Sequence, residues 1–156
     1  MTASPPPGPI SDPLAHPWIQ RFGYAGLIPF VGLTLLLWLV GPELQAWVAI
    51  AMAAYAALIA SFLGGIHWGA IWSRLAQGQA VTNAQVAWGM APSLLAWPGV
   101  LMPPHAGLAW LGLVLVVCYL VDRKVYPALG IKPWLALRFR LSAVAALSCF
   151  IGAGAI

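Results

Sequence analysis

The sequence Ser-Phe-Leu-Gly-Gly-Ile-His-Trp-Gly occupies residues 61 to 69, near the end of the longest apolar run of the chain. On a helix that turns about 100° per residue, Ser61, Gly65 and Gly69 share one face. Small residues at every fourth position let helices in a membrane approach each other closely. We therefore predict that this face packs against another helix, and that Gly64, on a second strip of small residues, does the same.

The composition of the whole chain predicts a membrane protein. Of its 156 residues, 62% are hydrophobic and 6% are charged, whereas about a quarter of the residues of a soluble domain are charged. A chain of this length accommodates roughly four to six spans of about 20 residues each. The net charge of +4 arises from only seven Lys and Arg residues, so it indicates membrane topology and not a nucleic-acid partner.

Five apolar segments are long enough to cross a bilayer, and polar or proline-containing stretches separate them. The predicted spans are residues 22–40, 44–73, 84–102, 106–121 and 134–155. Residues 1–17 are rich in proline and predict a disordered tail. The expected fold is therefore an all-α membrane protein, with one domain at residues 18–156 that forms a bundle of five transmembrane helices.

The basic residues predict the orientation of this bundle. With five spans, all of them lie at or near the side that carries the N-terminus and the loops around residues 74–83 and 122–133. They are Arg21, Arg74, Arg123, Lys124, Lys132, Arg138 and Arg140. Because basic residues are retained on the cytoplasmic side, we expect a multi-pass protein of the cell (inner) membrane, with its N-terminus inside and its C-terminus outside.

His67 is an ionisable residue within the second predicted span, and such a residue is a candidate functional group. It serves either as a hydrogen-bonded packing residue or as part of a polar ligand site, for which Trp68, Arg74 and Ser93 are the other candidates. The predicted spans contain no Asp or Glu, which argues against a proton pump or a cation-coupled carrier of the usual carboxylate-based kind.

A second candidate cluster lies at the inner ends of the fourth and fifth spans. It contains Asp122, Arg123, Arg138 and Arg140, which form either an ion-pair network or a basic collar on lipid headgroups. Cys118 and Cys149 have no metal-binding spacing. We predict no metal site, no cofactor and no catalytic residues, because no catalytic motif is present.

Tryptophan is abundant, with nine residues. Those near predicted interfaces are expected in an aromatic belt, and the others pack in the core or line a ligand pocket. The interfacial set is Trp18, Trp47, Trp72 and Trp134, and the deeper set is Trp38, Trp68, Trp88, Trp97 and Trp110.

Three segments resemble a known family. They are Phe-Leu-Gly-Gly-Ile-His-Trp-Gly at residues 62–69, Gly-Leu-Ile-Pro-Phe at 26–30 and Pro-Trp-Leu-Ala-Leu-Arg-Phe-Arg-Leu at 133–141. In them the chain is similar to the bacterial and mitochondrial family of small five-span membrane proteins classed as a domain of unknown function. The resemblance implies membership and five-span architecture, without an activity. A likeness to the tryptophan-rich sensory protein or translocator family is architectural only.

These observations leave two function hypotheses that rank above an enzyme. The first is a non-enzymatic accessory, assembly or scaffold protein, whose partners are membrane lipids and either other membrane proteins or further copies of itself. The second is a binding or transport module that takes an apolar ligand, namely a quinone, a porphyrin or a lipid, in a Trp-lined pocket near His67.

Overall fold

The computed structural model describes residues 17–156, and apart from turns and short connections they are helical, without a strand. The helices are α1 (Pro17–Ala25), α2 (Ile28–Leu39), α3 (Pro42–Ala76), α4 (Asn83–Leu101), α5 (Pro104–Val125) and α6 (Leu135–Ala153), and a short 3₁₀ helix (Lys132–Trp134) precedes α6. Except for Pro17, the tail predicted at residues 1–17 lies outside the described residues.

Four helical segments of the described chain are long and apolar enough to cross a membrane. The first, Trp18–Leu39, comprises α1 and α2. The second and third are α3 and α5, and the fourth, Lys132–Ala153, contains α6. Helix α4 has 19 residues but does not belong to this set. Its polar first turn, two internal prolines, two glycines and two tryptophans lower its mean hydropathy. The five expected helical segments are thus present, and four of them are long and apolar enough to be membrane spans.

The helix starts follow from local sequence. Thr82 and Gln85 form a capping box, in which the Thr82 hydroxyl accepts from the Gln85 amide at 3.3 Å and the Gln85 side chain accepts from the Thr82 amide at 2.9 Å. Pro42 and Pro104 occupy the first turns of α3 and α5, where a missing N–H leaves no bond unmade.

Helix α3 is the central element of the bundle. Its 35 residues extend about 52 Å, and it packs against α2, α4, α5 and α6. Ala49, Ala53, Ala56 and Ala60 are buried along it, which allows the neighbouring helices to come close on several sides.

The closest approach of α3 and α4 occurs at Gly64. A Cβ at this position would collide with the carbonyl oxygen of Gly89, and the indole of Trp68 fills the space over Gly89 itself. The face with Gly65 and Gly69 is different, because both residues are exposed and, among residues 17–156, a Cβ on either would have no packing contact within 4 Å. Within this chain the prediction that the Ser61-Gly65-Gly69 face packs on a neighbouring helix is therefore wrong, because Gly64 points into the contact and that face points outward.

Helix α1, the connection between α3 and α4 and the connection between α5 and α6 lie at the same end of the bundle. Arg74 at the end of α3 donates to the carbonyl of Ala128 in the connection before α6, and Arg140 of α6 donates to the Tyr24 hydroxyl of α1 at 3.2 Å. We call this end the basic end, because the elements that meet there carry all seven Lys and Arg residues.

Helix α5 is longer than the sequence suggested. The fourth span was expected to end at Val121, before three charged residues, but the helix continues to Val125. Asp122 consequently lies inside the helix and inside the bundle, where it is fully buried. The expectation that no span contains a carboxylate is therefore wrong.

Candidate functional site

Asp122 is the centre of a buried polar cluster that joins three helices. Its Oδ2 accepts a hydrogen bond from Nε of Arg138 on α6 at 2.9 Å, and its Oδ1 lies 3.3 Å from Nε2 of His67 on α3. Asp122 itself is 0% exposed. A carboxylate buried among apolar helices requires such partners, since an isolated charge there would be very costly.

Two of the three guanidinium nitrogens of Arg138 make hydrogen bonds within the described residues. The side chain is 8% exposed, its Nε pairs with Asp122, and its Nη1 donates to the hydroxyl of Ser142 one turn further along α6. Its Nη2 is buried and has no partner within the part of the chain that the structure describes.

His67 lies deep in the cluster, with 1% of its surface exposed. Its Nδ1 lies 3.1 Å from the carbonyl oxygen of Leu63, one turn earlier on α3. A carbonyl only accepts hydrogen bonds, so Nδ1 must carry a proton to make this bond. The other nitrogen, Nε2, then faces the Asp122 carboxylate.

Tyr126 covers the cluster from the end of α5. Its ring lies 5.5 Å from the His67 ring, centroid to centroid, and the residue is 2% exposed. Burial, and then the nearby Asp122 carboxylate, raise the pKa of Tyr126 to about 12. The phenol therefore stays protonated at neutral pH and remains a hydrogen-bond donor.

A cavity of about 630 Å³ adjoins this cluster, between α1 and α2 on one side and α3, α5 and α6 on the other. Its polar lining residues are Tyr126, Arg138 and Ser142, and its apolar wall includes Phe30, Ile59, Leu63, Ile66, Leu115 and Leu141. Phe22 and Phe62 also line it and are exposed, so the cavity reaches the outer surface of the bundle. Ligand pockets commonly combine this volume, an apolar wall and a few polar groups.

The structure separates the residues of the first predicted site. His67 joins Asp122 and Arg138 inside the bundle. Trp68 and Ser93 instead line a shallow groove between α3 and α4, where the Ser93 hydroxyl donates to the Met90 carbonyl at 2.8 Å. Arg74 donates to the Ala128 carbonyl, so it fastens a connection at the basic end.

The second predicted cluster is also divided. Asp122 and Arg138 meet in the buried pair, whereas Arg123 and Arg140 are exposed, and Arg140 donates to Tyr24. A four-residue ion-pair cluster is therefore absent from the described residues, because consecutive helical residues such as Asp122 and Arg123 point in different directions.

Two tryptophans line the cavity, and they are Trp18 and Trp134, which the sequence suggested for the membrane interface. The five tryptophans considered for a pocket lie elsewhere. Trp38 and Trp97 are exposed, Trp110 donates to the Leu95 carbonyl at 2.7 Å, and Trp68 and Trp88 also lie outside the lining of the cavity.

Sequence reasoning overlooked the direct contact of His67 with Asp122, and the roles of Ser142 and Tyr126. One signal was available, because Arg138 and Ser142 are four residues apart and so share a helix face. In residues 17–156 no group of three or more His, Cys, Asp and Glu lies close enough together to hold a metal ion.

Comparison with known proteins assigns the chain to a family. The model of the family described as "Protein of unknown function (DUF3429)" matches residues 15–154. Transmembrane protein 69 of Xenopus tropicalis is 37% identical over 139 residues, which cover 81% of this chain and 49% of that protein. The chain thus spans about half the length of this relative. No solved structure matches.

The buried pair yields a prediction about stability. Asp122→Leu leaves the Arg138 guanidinium buried without its carboxylate, so the free energy of unfolding in detergent should fall by about 3–5 kcal/mol. The double variant Asp122→Leu/Arg138→Met removes both charges and should recover most of this loss. Arg140→Met, on the exposed side of the same helix, is the matched control and should unfold like the native protein.

The measurement is a denaturant titration in mixed micelles, followed by helical circular dichroism. If the double variant were as unstable as Asp122→Leu alone, the two side chains would not be coupled in the way the geometry indicates.

Proposed function

The chain is a multi-pass membrane protein that belongs to the family described as "Protein of unknown function (DUF3429)", and we propose that this member is a non-enzymatic protein that binds an apolar or amphipathic ligand inside the membrane. The observation that carries the proposal is the cavity of about 630 Å³ next to Arg138. A quinone, a porphyrin and a lipid are the ligand classes that combine an apolar body with polar groups.

The walls of the cavity support this proposal. Apolar side chains from five helices surround the space, and the polar groups Tyr126, Arg138 and Ser142 also line it. An amphipathic molecule would therefore bind in a defined direction, with its polar group toward Arg138. The exposed side chains of Phe22 and Phe62 mark an opening on the surface that faces lipid in a membrane, and a lipid-soluble ligand can enter from there.

The ligand proposal predicts that filling the cavity abolishes binding. Leu141 lines the cavity on α6, whereas Leu147 on the same helix is exposed and lies outside it. In Leu141→Trp the larger ring should occupy the space, so the protein should lose its copurifying ligand. Leu147→Trp, which makes the same exchange at the surface, should retain it.

The test combines mass spectrometry of molecules that copurify in mild detergent with titration of tryptophan fluorescence by decylubiquinone, protoporphyrin and long-chain lipids. Trp18 and Trp134 line the cavity, so a bound quencher should reduce their emission. Protein that carries no ligand, and whose fluorescence no member of this panel quenches, would exclude the proposal.

A second function, that of a scaffold or assembly factor, is favoured by the exposed glycine face of α3. Gly65 and Gly69 border a shallow groove with Trp68, Trp72 and Met90, and no packing atom of residues 17–156 lies within 4 Å of a Cβ built on either glycine. Small exposed residues of this kind allow a helix from a second copy or from another membrane protein to pack closely.

Substitutions of the adjacent residues Gly64 and Gly65 distinguish a role in association with other helices from a role in folding of the single chain. Gly64→Val should destabilise the single chain by about 1–3 kcal/mol, because the new methyl groups overlap the Gly89 backbone. Gly65→Val should leave unfolding of the chain unchanged and should reduce the fraction of oligomer, measured by light scattering in mild detergent. A native protein that is monomeric and recovers no partner from membranes would argue against the scaffold.

We also propose that the basic end faces the cytoplasm of a cell (inner) membrane, with the N-terminus inside and the C-terminus outside. The support is that the elements with all seven Lys and Arg meet at that end, as the positive-inside rule requires.

Cysteine labelling tests this orientation. Gln79 is exposed in the loop at the basic end, and His105 is exposed at the opposite end. In right-side-out membrane vesicles, an impermeant maleimide should label His105→Cys and should reach Gln79→Cys only after the vesicles are opened. Cys118 and Cys149 are buried, so they provide a low background. The reverse labelling pattern would invert the topology.

A further inference from the structure

The exposed charges at the basic end all have one sign. Arg138 is buried and paired with Asp122, and Arg74 is half-buried and donates to the Ala128 carbonyl. The other five basic residues are exposed, and they are Arg21, Arg123, Lys124, Lys132 and Arg140. The other acidic side chain among residues 17–156 is that of Glu43, in the first turn of α3 at the opposite end. Within the described residues, the surface of the basic end therefore carries positive charge alone.

Large aromatic side chains lie beside two of these cations. Phe22 follows Arg21 and is 71% exposed, and Phe139 precedes Arg140 and is 54% exposed. The guanidinium carbon of Arg21 lies 5.1 Å from the centre of the Trp18 ring, which is also exposed. Apolar rings that face bulk water are costly, whereas aromatic and basic side chains are both favourable in the headgroup layer of a membrane. The mixture is typical of a surface at the depth of lipid phosphates.

Arg21 and Arg140 reach the same stretch of this surface from different helices. Arg21 and Tyr24 are three residues apart on α1, so their side chains are neighbours on one helix face. Arg140 of α6 donates to the Tyr24 hydroxyl at 3.2 Å. The planar donor array of a guanidinium fits phosphate oxygens. Two such groups therefore flank Tyr24 at the junction of α1 and α6, where a headgroup phosphate is the nearest anion that a membrane supplies.

We propose that the basic end is a binding surface for anionic phospholipids, and that Arg21 and Arg140 are its main contact. A lipid fits better than a soluble acidic protein, because the exposed rings beside the cations require an apolar phase next to the charged layer. An anionic lipid is favoured over a zwitterionic one, since the latter brings a cation of its own to a surface without exposed carboxylates. Both arginines lie outside the lining of the cavity, so the inference is independent of the proposed cavity ligand.

The test measures which phospholipids remain with the protein. Purified protein is reconstituted into nanodiscs with equimolar phosphatidylglycerol and phosphatidylcholine, extracted in mild detergent, and analysed for retained lipid by mass spectrometry. Because each basic side chain near a membrane favours anionic lipid roughly fivefold, phosphatidylglycerol should be retained in at least about fivefold excess. Added sodium chloride should reduce the excess, since salt screens exposed charges.

Variants assign the excess to the junction of α1 and α6. Arg21→Gln/Arg140→Gln removes both guanidinium groups and should lower the excess to about twofold or less. Arg123→Gln/Lys124→Gln removes two exposed charges at the end of α5 and should lower it by a smaller factor. His105→Glu, at the exposed turn of the opposite end, changes the protein's charge without touching the surface and should retain the full excess.

Three outcomes would overturn the inference. The first is equal retention of the two lipids by the native protein, and the second is an excess that Arg21→Gln/Arg140→Gln leaves unchanged. The third is binding of heparin by the protein in phosphatidylcholine nanodiscs, lost in that variant, without any lipid preference; it would assign the surface to a soluble polyanion.

The variant Leu141→Trp separates this surface from the cavity. Filling the cavity should remove the proposed cavity ligand and keep the excess of phosphatidylglycerol, because Leu141 lines the cavity and the two arginines do not. If Leu141→Trp abolished the excess while Arg21→Gln/Arg140→Gln preserved it, phosphatidylglycerol would be a cavity ligand, and the inference about the basic end would be overturned while the binding function remained.

Discussion

A carboxylate that is removed from water must be neutralised by neighbouring groups, and in this protein that requirement is met at Asp122. Its side chain is fully buried between α3, α5 and α6. Arg138 reaches it only because the chain turns back sharply after α5. Gly130 allows that turn with a φ of +76°, a conformation that favours glycine, and the Ile131 amide donates to the Tyr126 carbonyl at 3.0 Å. Pairing at Asp122 and the fold of the connection are thus mutually dependent.

The cavity lies between points at which the helices are tied together. The Tyr55 hydroxyl donates to the Gly26 carbonyl at 2.8 Å, and the Thr34 hydroxyl donates to the Ser148 carbonyl at 3.1 Å. The Asp122–Arg138 pair fixes α5 to α6 at the basic end. Such bonds replace water as partners for polar groups in an apolar bundle. Between these bonds, side chains of α1, α2 and α3 border a space that residues 17–156 do not fill.

The polar residues that line the cavity are few. They are Arg138, Ser142 and Tyr126, and the remaining wall is apolar. The cluster that joins three helices therefore also contributes polar side chains to the wall of the cavity. In a chain with few charged side chains, the same residues thus pair with the buried carboxylate and line the cavity.

The sequence by itself determined that the protein is helical and membrane-embedded, and that its basic residues lie at one end, because apolar length, turn residues and charge spacing are local properties of a chain. It also identified His67, Asp122 and Arg138 as candidates, but it placed His67 in one site and the other two in another. Asp122 was assigned to a membrane boundary because a charge normally ends a span. Packing was predicted for both Gly64 and Gly65, because a pattern of small residues does not say which face meets a neighbour.

Only the tertiary structure decided these points. The packing of three helices brings residues 67, 122 and 138 within hydrogen-bonding distance, and this proximity compensates the burial of Asp122 inside α5. The rotation of α3 decides that Gly64 meets α4 while Gly65 faces outward. Neither outcome is encoded in the spacing of residues along one helix, because both depend on which other helix lies beside it and at what angle.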